Sequence, residues 1–349
     1  MCHTRDPSRS APAAGRPPVP AAPRNVVFPP PFPDPAEPRP GLQYRVRVPL
    51  PVFSSRARLL RAAVACTVLL ALAGYLAAQL VTGGVGPPRC LVRANGTDLL
   101  LSPEQTVNAA TIEAVAASRG LPERAVTIAL ATALQESGLR TIRHGDRDSQ
   151  GLFQQRPSQG WGSVRQVRDP VYAAGKFYDD LVRVPGYSRL PLTVAAQRVQ
   201  RSGFPQAYAK HETEAVLLTG ALTGRSPAAV SCPGPPDDGR AGDPARVRAA
   251  LKREFGSEAE PRPAPAGHGG GEQAGSSSAV LVPAPRGTAR RGAGQRGWQI
   301  AHWAVAHSDE LRIERVSYRG REWNARNSAA GWRPAKGISE AEVRIVTTR

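Results

Sequence analysis

The chain has 349 residues, a formal net charge of +18, 35 Pro and 34 Gly, long enough for two domains but too rich in helix and strand breakers to be compact throughout. The charge is almost wholly arginine, since Lys176, Lys210, Lys252 and Lys336 are the only lysines among 46 basic residues, a bias that reflects GC-rich coding as much as a partner. No basic stripe with interleaved aromatics accompanies it, so the composition argues against nucleic acid and leaves an anionic polymer as the partner class.

Residues 1–55 are rich in Pro, Arg and Ala and poor in bulky apolar groups. They read as a disordered tail, because they cannot bury enough surface to offset chain entropy. An uncharged run over 62–81 lies within a span placed at 59–82 and matches the ~20 residues that cross a bilayer as a helix. Arg56, Arg58 and Arg61 precede it and 82–88 hold no charge. The positive-inside rule then gives a single pass through the cytoplasmic membrane, with the tail inside and the remainder outside. A cleaved signal peptide fits less well, because its apolar run is only ~7–15 residues and its leader is shorter. Cys66 falls early in the span without the Leu of a lipoprotein acceptor. Cys90 and Cys232 lie beyond the span and bracket 90–232, which predicts a disulfide in an oxidising compartment.

Ser102, Pro103 and Gln105 make a capping box that opens a helix running to about 118 and stopping at Gly120. Pro122 and Glu123 open a second, with Val126, Ala129, Leu130, Ala133 and Leu134 at helical spacing and Gly138 at its end. Asp169 and Pro170 start a third, and further helices are predicted over 192–201 and 206–218. No strand-type alternation is evident, so 90–232 reads as all-helical. Residues 233–294 return to Pro, Gly, Ser and Arg and read as a flexible linker with a short helix near 245–255. A helix over 298–311, a strand over 313–318, a turn at Arg319-Gly320 and a strand over 342–348 predict a small α+β module in 295–349. Its Trp298, Trp303, Trp323 and Trp332 suit a small core, with stacking on glycans as the other reading.

The chemistry concentrates near Glu136. It sits in the last turn of an apolar helix, where the negative end of the dipole and desolvation by Ala and Leu neighbours both raise a carboxyl pKa. A carboxylic acid kept protonated near neutral pH is what protonation of a glycosidic leaving oxygen requires; a surface Glu near a helix end is the plainer reading of the same spacing. Gln135-Glu136-Ser137-Gly138-Leu139, followed by Gly151-Leu152-Phe153-Gln154-Gln155, resembles the E-S-G plus G-L-x-Q signature of the soluble lytic transglycosylase and goose-type lysozyme-like superfamily.

The resemblance covers about 104–218 and is to an actinobacterial or phage-like variant. Gln155-Arg156-Pro157 stands where a hydrophobic residue and Pro usually follow G-L-x-Q, and 195–202 stands where the A-Y-N-x-G segment belongs. It implies a lysozyme-like helical domain, which with the predicted transmembrane helix before it and the small α+β module behind it makes a mainly α protein. It further implies an enzyme that cleaves peptidoglycan glycan strands, with Glu136 as general acid/base and no cofactor, which the predicted span would anchor in the membrane. Ser137, Gly151, Phe153, Gln154, Gln155, Trp161, Gln200 and Tyr208 are the candidates for shaping the sugar cleft; core packing suits Phe153 equally. A transglycosylase of this type needs one carboxyl, whereas a hydrolase needs a second to position water or act as nucleophile. Asp146 and Asp148 are the candidates, and a solvated charged loop is the alternative for both. His144 and His211 are isolated, and neither they nor the cysteines have metal-ligand spacing. A wall-binding protein that has lost activity is the runner-up, and a transport-associated or metal-handling membrane protein a third class. Oligomeric state is not legible.

Overall fold

A computed structural model describes residues 55–81, 87–94, 96–265, 278–284 and 294–349. The tail 1–54 and parts of the 233–294 stretch lie outside the described residues. The chain divides into two units, Met1–Tyr75 and Leu76–Arg349. The described part of the first belongs to α1 (Ser55–Val81). Within α1, Leu59–Ala77 has a mean hydropathy of 2.0 and no buried residue. Among the described residues it is the one helix long and apolar enough to cross a membrane, a property shared with signal sequences.

The second unit mixes helix and sheet in the order β1 (Cys90–Ala94), β2 (Thr97–Leu101), α2 (Pro103–Ser118), α3 (Glu123–Ser137), α4 (Val164–Val167), α5 (Pro170–Leu181), α6 (Leu192–Gln200), α7 (Glu212–Leu222), β3 (Val230–Ser231), α8 (Pro244–Phe255), β4 (Arg262–Pro263), β5 (Ala279–Pro283), α9 (Gln295–Ala306), β6 (Ile313–Tyr318), β7 (Arg321–Asn324), β8 (Arg333–Pro334) and β9 (Glu342–Thr347). The expected capping box is present at Ser102, with Gln105 answering it. The expected helix over 206–218 instead begins as a 3-10 turn at Pro205–His211 and becomes α7 only at Glu212.

The stretch 90–232 is not all-helical. β1 pairs antiparallel with β2 across a two-residue turn and also with β3, giving a three-stranded sheet in the order β2-β1-β3. The strands escape an alternation test because β2 shows a burial pattern of mostly exposed residues and β3 has only two residues. Asn95-Gly96 is the usable signal, a dipeptide that favours the tight hairpin turn, and Gly96 has φ +75°. Pairing of Leu91 with Ser231 sets Cys90 beside Cys232, and the two form the expected disulfide.

Nor do the described residues of 233–294 behave as a linker. Asp243 caps α8, and β5 pairs with β9 inside a six-stranded antiparallel sheet ordered β4-β5-β9-β6-β7-β8. Val247, Leu251, Phe255, Val280 and Val282 join the same core as Ile112, Leu130 and Phe177 of the preceding helices. The C-terminal part is therefore no separate module. At the seam, a Cβ on Gly224 would lie 2.1 Å from Gln295 O, and its φ is +76°, so only glycine lets the end of α7 meet the start of α9.

Polar contacts reinforce that seam. The imidazole of His302 donates from Nδ1 to Ala221 O at 2.8 Å and accepts the Ala229 N–H on Nε2 at 2.9 Å. The Trp332 indole donates to Val230 O and that of Trp323 to Ser231 Oγ. Gln299 donates to the buried Glu113 carboxylate, and Trp303 donates to Glu254 at 2.8 Å. Burial would raise the Glu254 pKa, but the charge and hydrogen bond of His307, with donors Trp303 and Thr111, leave it below the ordinary value. The four tryptophans are thus core residues, each worth roughly 2–3 kcal/mol of burial.

Two outcomes follow for stability. Breaking the disulfide, which closes a loop with a sequence separation of 142, by Cys90→Ala with Cys232→Ala is expected to lower unfolding free energy by about 3–5 kcal/mol in denaturant titration. Burial holds the His302 pKa down at about 4, against the opposing hydrogen bond to Ala221 O. A depressed histidine pKa means that the unfolded chain takes up a proton before the native one does. Its contribution is therefore complete above pH ~6.5 and lost as pH falls toward 4, about 3 kcal/mol in all. His302→Gln, which keeps a donor and an acceptor but does not titrate, should flatten the difference in a pH series of unfolding curves.

Candidate active site

The last turn of α3 is held from three sides. Gly138, at φ +62°, ends the helix and directs its N–H to Leu134 O, while Leu139 N–H reaches Ala133 O. This left-handed cap satisfies the terminal carbonyls. From α2, Gln105 Nε2 donates to Gly138 O at 2.9 Å and Asn108 Nδ2 to Leu139 O at 2.8 Å. Ser137 Oγ reaches Leu152 O at 2.7 Å and accepts the Arg140 N–H at 3.2 Å. Ser137 thus ties the helix end to the Gly151–Gln155 strip and is buried.

That strip is a tight double turn. Ile142 bridges Gly151 and Gln150 bridges Gln155. Gly151 has φ +76°, and a Cβ there would sit 1.9 Å from Val167 O, so the glycine of the motif is fixed by backbone approach rather than by substrate. Phe153 is fully buried and stacks on Phe177 at 4.7 Å. Gln155 is 2% exposed and donates to Ala173 O at 3.1 Å. Both were candidate sugar contacts, and both face the interior instead, because two apolar helices, α3 and α5, leave the strip no open side at those positions. Gln154, at φ +48°, and Trp161 remain partly exposed.

Glu136 is partly exposed, and its partners come from 60 to 75 residues further along. Tyr208, in the 3-10 turn, donates its hydroxyl to Glu136 Oε1 at 2.7 Å. Gln200, the last residue of α6, hydrogen-bonds the same carboxyl and donates to Phe153 O at 2.8 Å. Burial raises the Glu136 pKa, and the bonds from Tyr208 and Gln200, which favour the ionised form, offset part of the rise. Burial first, then the Glu136 charge and hydrogen bond, push the Tyr208 phenol above its ordinary value, so it stays a donor. The arrangement is a carboxyl poised to give up a proton and accept it back, with its orientation set by two neutral groups.

The two aspartates differ. Asp148 accepts Arg156 Nε at 2.8 Å, Ser158 N–H at 2.8 Å and the Ser158 hydroxyl at 3.0 Å. The Arg156 bond first, with those from Ser158, holds its pKa far below the usual carboxylate range, which makes it a weak base and a loop brace. Asp146 is exposed. His144 is exposed and His211 lies 3.9 Å from Glu214. Among the described residues no group of three or more His, Cys, Asp or Glu side chains is placed to hold a metal. Cavities of about 300 and 320 Å³ lie along β7, β8 and β3, and neither includes Glu136.

Asn108 and Ser202 were not legible beforehand. Ser202 hydrogen-bonds Tyr208 and accepts the Phe204 N–H at 3.1 Å. Its placement depends on Arg201 adopting φ +51°, for which Arg carries no sequence signal.

Residues 245–343 match the family model described as VldE, C-terminal domain. The match begins after Cys232 and does not reach Glu136. No curated protein matches the chain.

Tyr208→Phe removes a bond that lowers the Glu136 pKa, so the variant should titrate at higher pH than the parent. Carbon-detected NMR of the Glu136 carboxyl checks this; an unchanged or lowered midpoint would contradict the role given to Tyr208.

Proposed function

We propose that the chain is a membrane-anchored enzyme that cleaves the glycan strands of peptidoglycan outside the cytoplasmic membrane, with Glu136 as general acid/base. The observation that carries this reading is the half-buried Glu136 carboxyl, raised in pKa and gripped by Tyr208 and Gln200. It occurs at the position where the E-S-G and G-L-x-Q resemblance puts the catalytic acid. The Leu59–Ala77 helix is read as the anchor with the N-terminus inside, and the Cys90–Cys232 disulfide suits an oxidising, extracytoplasmic location.

Protonated Glu136 donates to the bridging oxygen as the MurNAc–GlcNAc bond breaks, and the carboxylate so formed takes the proton of the attacking hydroxyl. Attack by a hydroxyl of the same sugar closes an anhydro ring and needs no second carboxyl. The single-carboxyl course is favoured here, because Asp148 is engaged by Arg156 and Ser158 and is a poor base for activating water. A lysozyme-like fold for the helical part goes with this reading. A protein that binds wall glycan without cleaving it is the second reading, because Phe153 and Gln155, two of the expected cleft residues, are buried.

Mass spectrometry of purified peptidoglycan incubated with the protein separates these. Anhydro-muropeptides from the parent, with Glu136→Gln reduced at least ~1000-fold, are expected. Reducing ends would indicate a muramidase, and intact glycan with the parent would eliminate the enzyme reading in favour of binding alone.

A further inference from the structure

The loops that follow Glu136, residues 138–168, carry Arg140, Arg143, Arg147, Arg156, Arg165 and Arg168 against two acids, Asp146 and Asp148. Two of these arginines hold the loop together. Arg156 pairs with Asp148 at 2.8 Å, and Arg168 donates to Arg143 O at 3.0 Å and to the Gln150 side chain. The other four, Arg140, Arg143, Arg147 and Arg165, are exposed, and among the described residues none has a carboxylate within ion-pair distance. The scaffold beneath them is braced by the Ile142–Gly151 and Gln150–Gln155 bridges and by the bond from Ser137 to Leu152 O.

Like charges carried on one short stretch of chain repel, and a braced backbone limits how far they can disperse. Here Asp148 is consumed inside the brace, and Asp146 forms no ion pair among the described residues, which leaves four arginines against one exposed acid. A planar guanidinium presents a fork that matches a carboxylate. The loop starts beside the candidate acid, since the Arg140 N–H is bonded to Ser137 Oγ at 3.2 Å and Ser137 follows Glu136 in the chain.

We propose that this arginine loop is a recognition subsite for the free carboxylates of the peptide stems carried by the glycan strand, so that the site selects acidic over amidated wall. This rests on the reading of Glu136 as a glycan-cleaving acid. Phosphate-rich wall polymers would be drawn by the same charge but would not need to lie beside Glu136.

The test uses the full chain in detergent with Glu136→Gln as background, so that binding is measured without cleavage. Cosedimentation is run on insoluble peptidoglycan with free stem carboxylates, on the same material after carbodiimide amidation, and on material stripped of phosphate polymers. Amidation should weaken binding roughly 10-fold or more, the summed effect of several exposed ion pairs. Replacing Arg140, Arg143, Arg147 and Arg165 together by Gln should abolish the difference between the two substrates, with an unchanged melting midpoint reporting an intact fold. Equal binding to free and amidated wall overturns the proposal. So does a response to phosphate removal with none to amidation, or a four-arginine variant that still discriminates. If the parent chain releases no fragments while carboxylate-dependent binding persists, the cleavage reading fails and the loop assignment stands.

Discussion

The imidazole of His302 is clamped between Ala221 O on α7 and the N–H of Ala229 ahead of β3, and this double hydrogen bond requires the neutral ring. A second proton on Nε2 would face a backbone donor with no alternative partner, in an interior that already disfavours the charge. Because His302 belongs to α9, the clamp joins the C-terminal sheet to the helical part. Gly224, the only residue type that fits between α7 and α9, and the Trp332 bond to Val230 O act across the same seam. The result is one continuous core rather than two domains and a tether.

This seam reaches the candidate site through a short covalent path. Tyr208 lies in the 3-10 turn that runs directly into α7, and the far end of α7 is the one His302 holds. α7 is also tied to α3 by the hydrogen bond between Thr127 and Thr219 at 3.0 Å. The position of the Tyr208 hydroxyl against Glu136 therefore depends on packing more than 90 residues away in sequence. The match of 245–343 to the VldE C-terminal domain model falls on the half of the core that supplies this support.

Within the site, the motif residues divide their labour by burial. Gly151, Phe153 and Gln155 build the turn and close it against α5, while Gln154, Trp161, Glu136 and Gln200 retain solvent access. Ser137 bridges the two motifs through Leu152 O. The motif residues thus set the end of α3 and the turn beside it, and α3 carries the Glu136 carboxyl.

Local signals alone determined a good part of this protein. The capping box at Ser102, the glycine stop after Glu136, the helix opened by Asp169-Pro170, the apolar run in α1, the helix 244–255 and the strands 313–318 and 342–347 are each written in neighbouring residues, because caps, breakers and periodicity act over a few positions. Pairing of Cys90 with Cys232 followed from position and compartment. What tertiary structure decided lies at long range. Strand β1 alternates over only five residues, β2 is mostly exposed and β3 has two residues, and the sheet exists because 90–101 and 230–231 meet in the fold. Whether Phe153 and Gln155 face sugar or core is set by α5 packing over them, and 279–283 within the expected linker becomes a strand because β9, some 60 residues later, supplies the partner for β5. The acid's own environment is the clearest case. Glu136 could be recognised from its motif, but its pKa is set by burial and by Tyr208 and Gln200, and only folding brings those two side chains to its carboxyl.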